Sequence, residues 1–207
     1  MILIGQYDSP FVRRVALAMR FYGMPFDHKP WSTFGDGDKI AVYNPLMRVP
    51  TLVLEDGEVL IESTAIIDYL DETVGPSRAM FPESGHARRE ALNIAALATG
   101  LGDKAVALVY EKVLHQNESD RWISRCRSQI AGVLDRLEAD RAKRKHTYWF
   151  GERIGHADIA VACVLRFTRE AHGLFDDKKY PALAKHADMC EALTPFQDIV
   201  QPLIPPS

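Results

Sequence analysis

The stretch YDSPFVRRVALAM sets a serine hydroxyl one residue ahead of a proline and at the head of an apolar helical repeat. Serine then proline is a common way to open a helix: the Ser9 oxygen accepts from an amide of the first turn, and Pro10 has no N–H to leave unpaired there. Read locally, Ser9 is a cap. The same placement also aims an O–H off the positive end of a helix, where it could donate to an anion. Tyr7, two residues earlier, holds the competing hydroxyl. A second pair, Glu62 and Ser63 in IESTAIIDYLDE, sits at the head of another predicted helix and reads locally as a dipole-favoured acid and a cap. The seven histidines have no metal-ligand spacing, and no metal is expected. Cys126, Cys163 and Cys190 lie far apart in the second half without a CxxC pair, so the first half holds no sulfur nucleophile.

These side chains need elements to hold them. MILIGQY is a short apolar run suited to a buried strand. In SPFVRRVALAMRFYG, Val12, Val15, Ala16 and Met19 fall at i, i+3, i+4 and i+7, which puts them on one helix face and Arg13, Arg14 and Arg20 elsewhere. Gly23, with Pro25 after it, stops that helix. PFDHKPW reads as a second strand, parallel to the first because a helix intervenes. Later, TLVL and EVLI flank EDG, an Asp-Gly hairpin signal. STAIIDYLDETVG then forms a helix with Ile66, Ile67, Leu70 and Val74 inward, ended by Gly75-Pro76. Pro50 opens the third strand, where a cis X-Pro bond costs only about 1 kcal/mol.

The element order is βαβ, a short helix or loop, then ββα, the pattern of a thioredoxin-like domain. From about Glu83 strand signals vanish. A long Ala- and Leu-rich helix, expected to bend at Gly100 to Gly102, leads to an amphipathic helix with Ile123, Cys126, Ile130, Val133, Leu134 and Leu137 on one stripe. Its basic end, RAKRK, complements the helix dipole. IGHADIAVACVLRFTREAHG reads as a more buried helix, and one or two short ones follow. The fold class expected is therefore α/β plus all-α: a thioredoxin-like domain over residues 1–77, the linker GPSRAMFPES, and an all-helical domain over 84–207.

The chain has 207 residues, 47% hydrophobic and 26% charged, with a formal net charge of -3. Its pI near 6.2 gives no long-range pull toward nucleic acid or an anionic membrane. The opening residues lack the basic start and long apolar core of a signal peptide, and no run is expected to reach spanning length. The three cysteines are expected to be reduced core fillers in a cytoplasmic protein.

NPLMRVPTLV, IESTAIIDYLDE, the linker MFP and IGHADIA, in that order, make the chain resemble the glutathione transferase superfamily along essentially its whole length. The resemblance implies a cis Pro50 that turns the main chain of Val49 toward the cysteinyl part of glutathione. Glu62 and Ser63 would hold the γ-glutamyl end, Glu62 accepting from its ammonium and Ser63 with its helix amides donating to its carboxylate. Ser9 would stabilise the thiolate, with Tyr7 the alternative, since serine-type members place the hydroxyl four positions before an arginine, here Arg13. Arg13 could lie near the site or at the domain interface. The second substrate would be a small apolar electrophile in a groove walled by Phe11, Phe34, Tyr110 and Trp149. Glutathione would be a co-substrate, with no prosthetic group, and a homodimer is expected.

Two departures stand out against that family. Gly155 stands where a Ser or Thr usually caps the buried helix three residues before Asp158, so Asp158 is read as structural. The serine- and cysteine-rich motif of the maleylacetoacetate isomerase type is missing, which ranks isomerisation below conjugation. A non-catalytic binding or regulatory protein of the same fold, or a peroxidase, are the other readings.

Overall fold

The computed structural model describes residues 1–204. Its first half is a four-stranded sheet in the order β2-β1-β3-β4. β1 (Ile2–Ile4) runs parallel to β2 (Asp27–Lys29) and antiparallel to β3 (Thr51–Val53), which pairs antiparallel with β4 (Val59–Ile61). Between β1 and β2 lies α1 (Pro10–Tyr22), between β2 and β3 the short α2 (Gly37–Ala41), and after β4 comes α3 (Ser63–Val74). The alternation along each strand sorts the faces. Leu3 and Leu52 join the large core under α1 and α3, whereas Ile4 and Val53 turn to the other face and meet Ile40 of α2. The predicted order of elements is the one found.

The second half is helical: α4 (Gly85–Leu114), α5 (Asp120–Arg141), α6 (His156–His172), α7 (Pro181–Glu191) and α8 (Thr194–Asp198). α6 is the axis, buried from His156 to Leu165 and again at Phe167 and Thr168, and packed against α4, α1 and α7. α4 runs without a break through Gly100 to Gly102. Gly102 serves a different end: a Cβ there would stand 3.1 Å from Val164 Cγ1 and 3.2 Å from Phe11 Cζ, so its bare backbone lets α4 close on α6 and α1. α4 is also long and apolar enough, by length and composition, to cross a membrane, contrary to the expectation that no run reaches that length. Here Ala98, Leu101, Ala105 and Leu108 are buried in the helical core.

One sequence expectation fails in an informative way. Arg13 and Arg14, placed away from the core by their helical period, are both buried at 2% exposure. The reason is that α1 lies between two layers, the sheet and α3 on one side and α6 on the other, so it has no broad solvent face. Arg13 is satisfied there. It donates to both carboxylate oxygens of Glu191 (2.5 and 2.7 Å), to the Ile199 carbonyl (2.9 Å) and to the Phe196 carbonyl (3.1 Å). It is thus a clamp between the two halves.

The linker is fixed as well. Asp71 of α3 accepts from the Phe81 amide (3.1 Å) and the Tyr22 hydroxyl and pairs with His156 Nε2 (2.7 Å), while the Met80 amide donates to the Tyr22 hydroxyl (2.9 Å). At the start of α6, Asp158 accepts from the Gly155 amide (2.8 Å) and the Trp149 amide (2.8 Å), so the acid half of the capping box forms without a hydroxyl partner. All three cysteines are free and buried.

Candidate active site

A groove opens between the halves, with a volume near 790 Å³ including its open mouth. Ser9 faces it from the head of α1. The Ser9 oxygen accepts from the Val12 amide at 3.4 Å, a long cap bond that uses a lone pair and leaves the hydroxyl proton for a group in the groove. Opposite stands Val49, whose bond to Pro50 is cis. Among the described residues the Val49 main chain has no hydrogen-bond partner, so its N–H and C=O are unpaired beside the groove. Gly5 brings these parts together. At φ 127°, a Cβ on it would lie 2.5 Å from Val12 Cγ2 and 2.8 Å from Val49 Cβ, so only glycine lets the Val49 turn pack against α1.

Tyr7 is not on the groove wall. Its ring stacks on His28 with centroids 3.9 Å apart and planes 6° from parallel, and burial pushes its phenol pKa upward. Its amide donates to Gln201 Oε1 (3.0 Å). The chain's last described residues hold to the site at two more points, the Ile204 amide on Asp8 (3.1 Å) and the Leu203 amide on Glu170 (3.1 Å), and Leu203 and Ile204 form part of the wall.

Neither Glu62 nor Ser63 lines the groove itself; Glu62 connects to it through Arg48. Glu62 adopts φ 67°, an uncommon conformation for a non-glycine residue, and one that concentrates where function fixes the backbone. Its carboxylate meets Arg48 (3.3 Å), which reaches on to Asp103 of α4 (3.9 Å). Arg48 and Asp103 both line the groove. Burial, with Glu62 adding to it and Arg48 opposing, raises the Asp103 pKa. Ser63 does not cap α3: it is the first helical residue, buried, and its oxygen accepts from Arg14 Nη1 at 3.3 Å.

Of the expected apolar wall, Phe11, Phe34 and Tyr110 line the groove. Phe34 and Tyr110 meet edge-on at its lip, centroids 5.1 Å apart. Trp149 does not belong to it. It is fully buried, with Nε1 donating to Asp140 (2.8 Å) and its ring against His186, because the turn before α6 folds it into the helical core. The reading of the sequence missed Trp31, Val106, Val109 and Phe167. Asp103, Val106, Val109 and Tyr110 form one stripe of α4, a helical spacing visible in the sequence, of which only Tyr110 was read as wall.

Residues 3–78 match the family described as Glutathione S-transferase, N-terminal domain, and residues 120–188 match its C-terminal domain. An Escherichia coli relative, the uncharacterized GST-like protein YibF, is 31% identical over 187 residues, covering 87% of this chain and 89% of that one. The chain belongs to the glutathione transferase superfamily. A maleylacetoacetate isomerase from Pseudomonas aeruginosa is 28% identical over 207 residues, with 95% of this chain and 94% of that protein aligned. Among solved structures, a glutathione S-transferase from Methylobacterium radiotolerans in complex with glutathione sulfonate superposes with a TM-score of 0.90, at 26% identity and 98% and 95% coverage. One from Methylobacillus flagellatus with glutathione bound gives 0.89, at 29% identity and 98% and 99% coverage. The superfamily fold, a thioredoxin-like domain followed by helices, is the architecture of this chain.

Proposed function

We propose that the chain is a glutathione transferase in which the Ser9 hydroxyl stabilises the glutathione thiolate for attack on a small apolar electrophile. The observation that carries this is Ser9 itself, with its lone pair engaged by the first turn of α1 and its proton free toward the groove, across from the unpaired main chain of Val49. A free thiol ionises near 8.5, so the site must favour the anion, and a donated hydrogen bond at a positive helix end does so. The unpaired Val49 N–H and C=O suit the cysteinyl main chain of glutathione, Glu62 its ammonium, and Ser63 with the first amides of α3 its γ-glutamyl carboxylate. Tyr7 is the weaker candidate, because its ring is engaged by His28 off the groove.

The similarity to a maleylacetoacetate isomerase favours a second reading, glutathione-dependent isomerisation. The groove argues for a neutral acceptor instead. Among the described residues its one lining cation, Arg48, already faces Glu62 and Asp103; the acceptor side is mainly apolar, with Phe11, Trp31, Phe34, Val106, Val109 and Phe167, and its other charges, Asp8 and Asp103, would repel a dicarboxylate. Three buried free thiols suit a cytoplasmic setting, and the exposed Val42, Leu46 and Met47 support pairing with a second copy. Titrating the protein with glutathione while following thiolate absorbance tests the proposal. A bound thiol that ionises below its free value is expected, and calorimetry showing no glutathione binding would return the chain to the non-catalytic reading.

A further inference from the structure

Arg14 is the least explained charge in the molecule. Its side chain is buried beneath the head of α3, and its hydrogen bond among the described residues is the one from Nη1 to Ser63 Oγ (3.3 Å). Among the described residues Nε has no hydrogen-bond partner. Arg13, the next residue, shows what a buried guanidinium in this fold looks like when its role is structural: two carboxylate oxygens and two carbonyls. Arg14 has no carboxylate. The nearby Cys163 thiol offers no countercharge, since burial pushes its pKa up to about 12. Arg14 itself stays protonated at neutral pH, because burial lowers its pKa only to about 10. A buried cation without an anion is costly, and removing it in favour of an apolar side chain of similar volume is often neutral or stabilising, so fold stability does not account for it.

We infer that Arg14 is a positioning residue for the anion site at the head of α3, its charge completed by the ligand's carboxylate. This rests on the reading that Ser63 and the α3 amides receive the γ-glutamyl carboxylate of glutathione. By donating to the Ser63 oxygen, Arg14 occupies a lone pair and turns the hydroxyl proton outward, toward the ligand. The fixed charge behind the hydroxyl also deepens the potential that the α3 amides begin. The helix end, the buried guanidinium with an open N–H, and the φ 67° of Glu62 immediately before Ser63 converge on the same point.

The test compares two ligands on three proteins: wild type, Arg14→Met and Arg14→Lys, each titrated calorimetrically with glutathione and with an analogue that lacks only the γ-glutamyl α-carboxylate. Arg14→Met is expected to weaken glutathione by at least about tenfold, since one charge acting across a few ångströms at an effective dielectric near 20 exceeds that. The analogue should change less than about twofold, because the group Arg14 acts on is missing. Arg14→Lys restores most of the glutathione affinity, and in Arg14→Met the change falls mainly on KM for glutathione rather than on kcat. Equal losses for the two ligands, or no loss, overturn the inference while leaving the functional reading intact. Wild type that binds neither ligand overturns that reading and this inference with it. Should Arg14→Met fail to fold, Arg14→Gln, which keeps a donor near Ser63 but no charge, decides: a larger loss for glutathione than for the analogue supports the role, and equal losses or no loss refute it.

Discussion

Replacing Ser9 with alanine separates the two duties of its hydroxyl. The cap bond is long at 3.4 Å, so its loss should cost about 0.5–1 kcal/mol, the lower part of the range for N-caps. For a chain of this size that lowers Tm by about 1–4 °C. The chemical loss is larger. A hydrogen bond to a charged group contributes about 1.5–3 kcal/mol. At about 1.4 kcal/mol per pKa unit, the bound thiol should therefore ionise about one to two units higher in the variant. If the wild-type site holds the thiol near 7, about half is thiolate at neutral pH, and the variant keeps about a fifth to a fiftieth of that. The assay is the pH profile of kcat/KM with a nitroaryl halide, read beside the ultraviolet absorbance of the bound thiolate. In Ser9→Ala both ascending limbs should move alkaline by the same amount, so the deficit of about five- to fiftyfold at neutral pH closes by about pH 10. Tyr7→Phe should leave both limbs in place. An unmoved limb in Ser9→Ala, or a shift in Tyr7→Phe, refutes the assignment.

At the waist of the fold, Gly102→Val drives a side chain into Val164 and Phe11, at Cβ contacts of 3.1 and 3.2 Å. Overpacking of about 1–3 kcal/mol outweighs the gain in helix propensity. The urea midpoint should fall, and KM should rise for the apolar acceptor, whose wall includes Phe11, but not for glutathione. In the helical core, Asp158 and His186 lie 3.5 Å apart with opposed acid responses. Burial raises Asp158 to about 6, so the folded state binds its proton more tightly than the unfolded chain, and this group adds stability as pH falls from about 6 to 4. Burial lowers His186 to about 3, so the unfolded chain takes its proton first and stability is lost as pH falls below about 6.5. In the wild type the two slopes oppose each other between pH 6 and 4. Asp158→Asn removes the gain, and urea midpoints across that window should fall more steeply with acid than in wild type. A parallel curve would contradict the opposition.

How much of this could be read from the sequence depended on the range of the forces involved. Strands and the Asp-Gly hairpin are written in neighbouring residues, and the head of α1 was found because its Ser9 cap is a contact over three positions, whereas the cap expected of Ser63 at α3 does not form. Arg13 and Arg14 were misplaced because the helical period separates inside from outside only when a helix has one wet face, and α1 has none. Ser9 and Tyr7 are two residues apart, so their difference lies in the direction of a side chain: one faces the groove, the other stacks on His28. The ion pairs of Arg48 with Glu62 and Asp103 join segments remote in sequence, and no local pattern announces them. Trp149 carried the composition of a ligand wall but was drawn inward by hydrogen bonds to Asp140 and Asp158, acids that only the fold brings near it.

The bonds that tie the two ends of the chain together also set an order of events. Tyr7 is held by Gln201, Asp8 by Ile204, and Arg13 by Glu191, Phe196 and Ile199. Domains fold as they emerge from the ribosome, first half first. The turn that carries Ser9 is therefore made early yet stays unclamped until residues 191–204 have been added, and Arg13 waits through that interval without its carboxylate. Synthesis itself keeps the turn that carries Ser9 unset until residues 191–204 have been added.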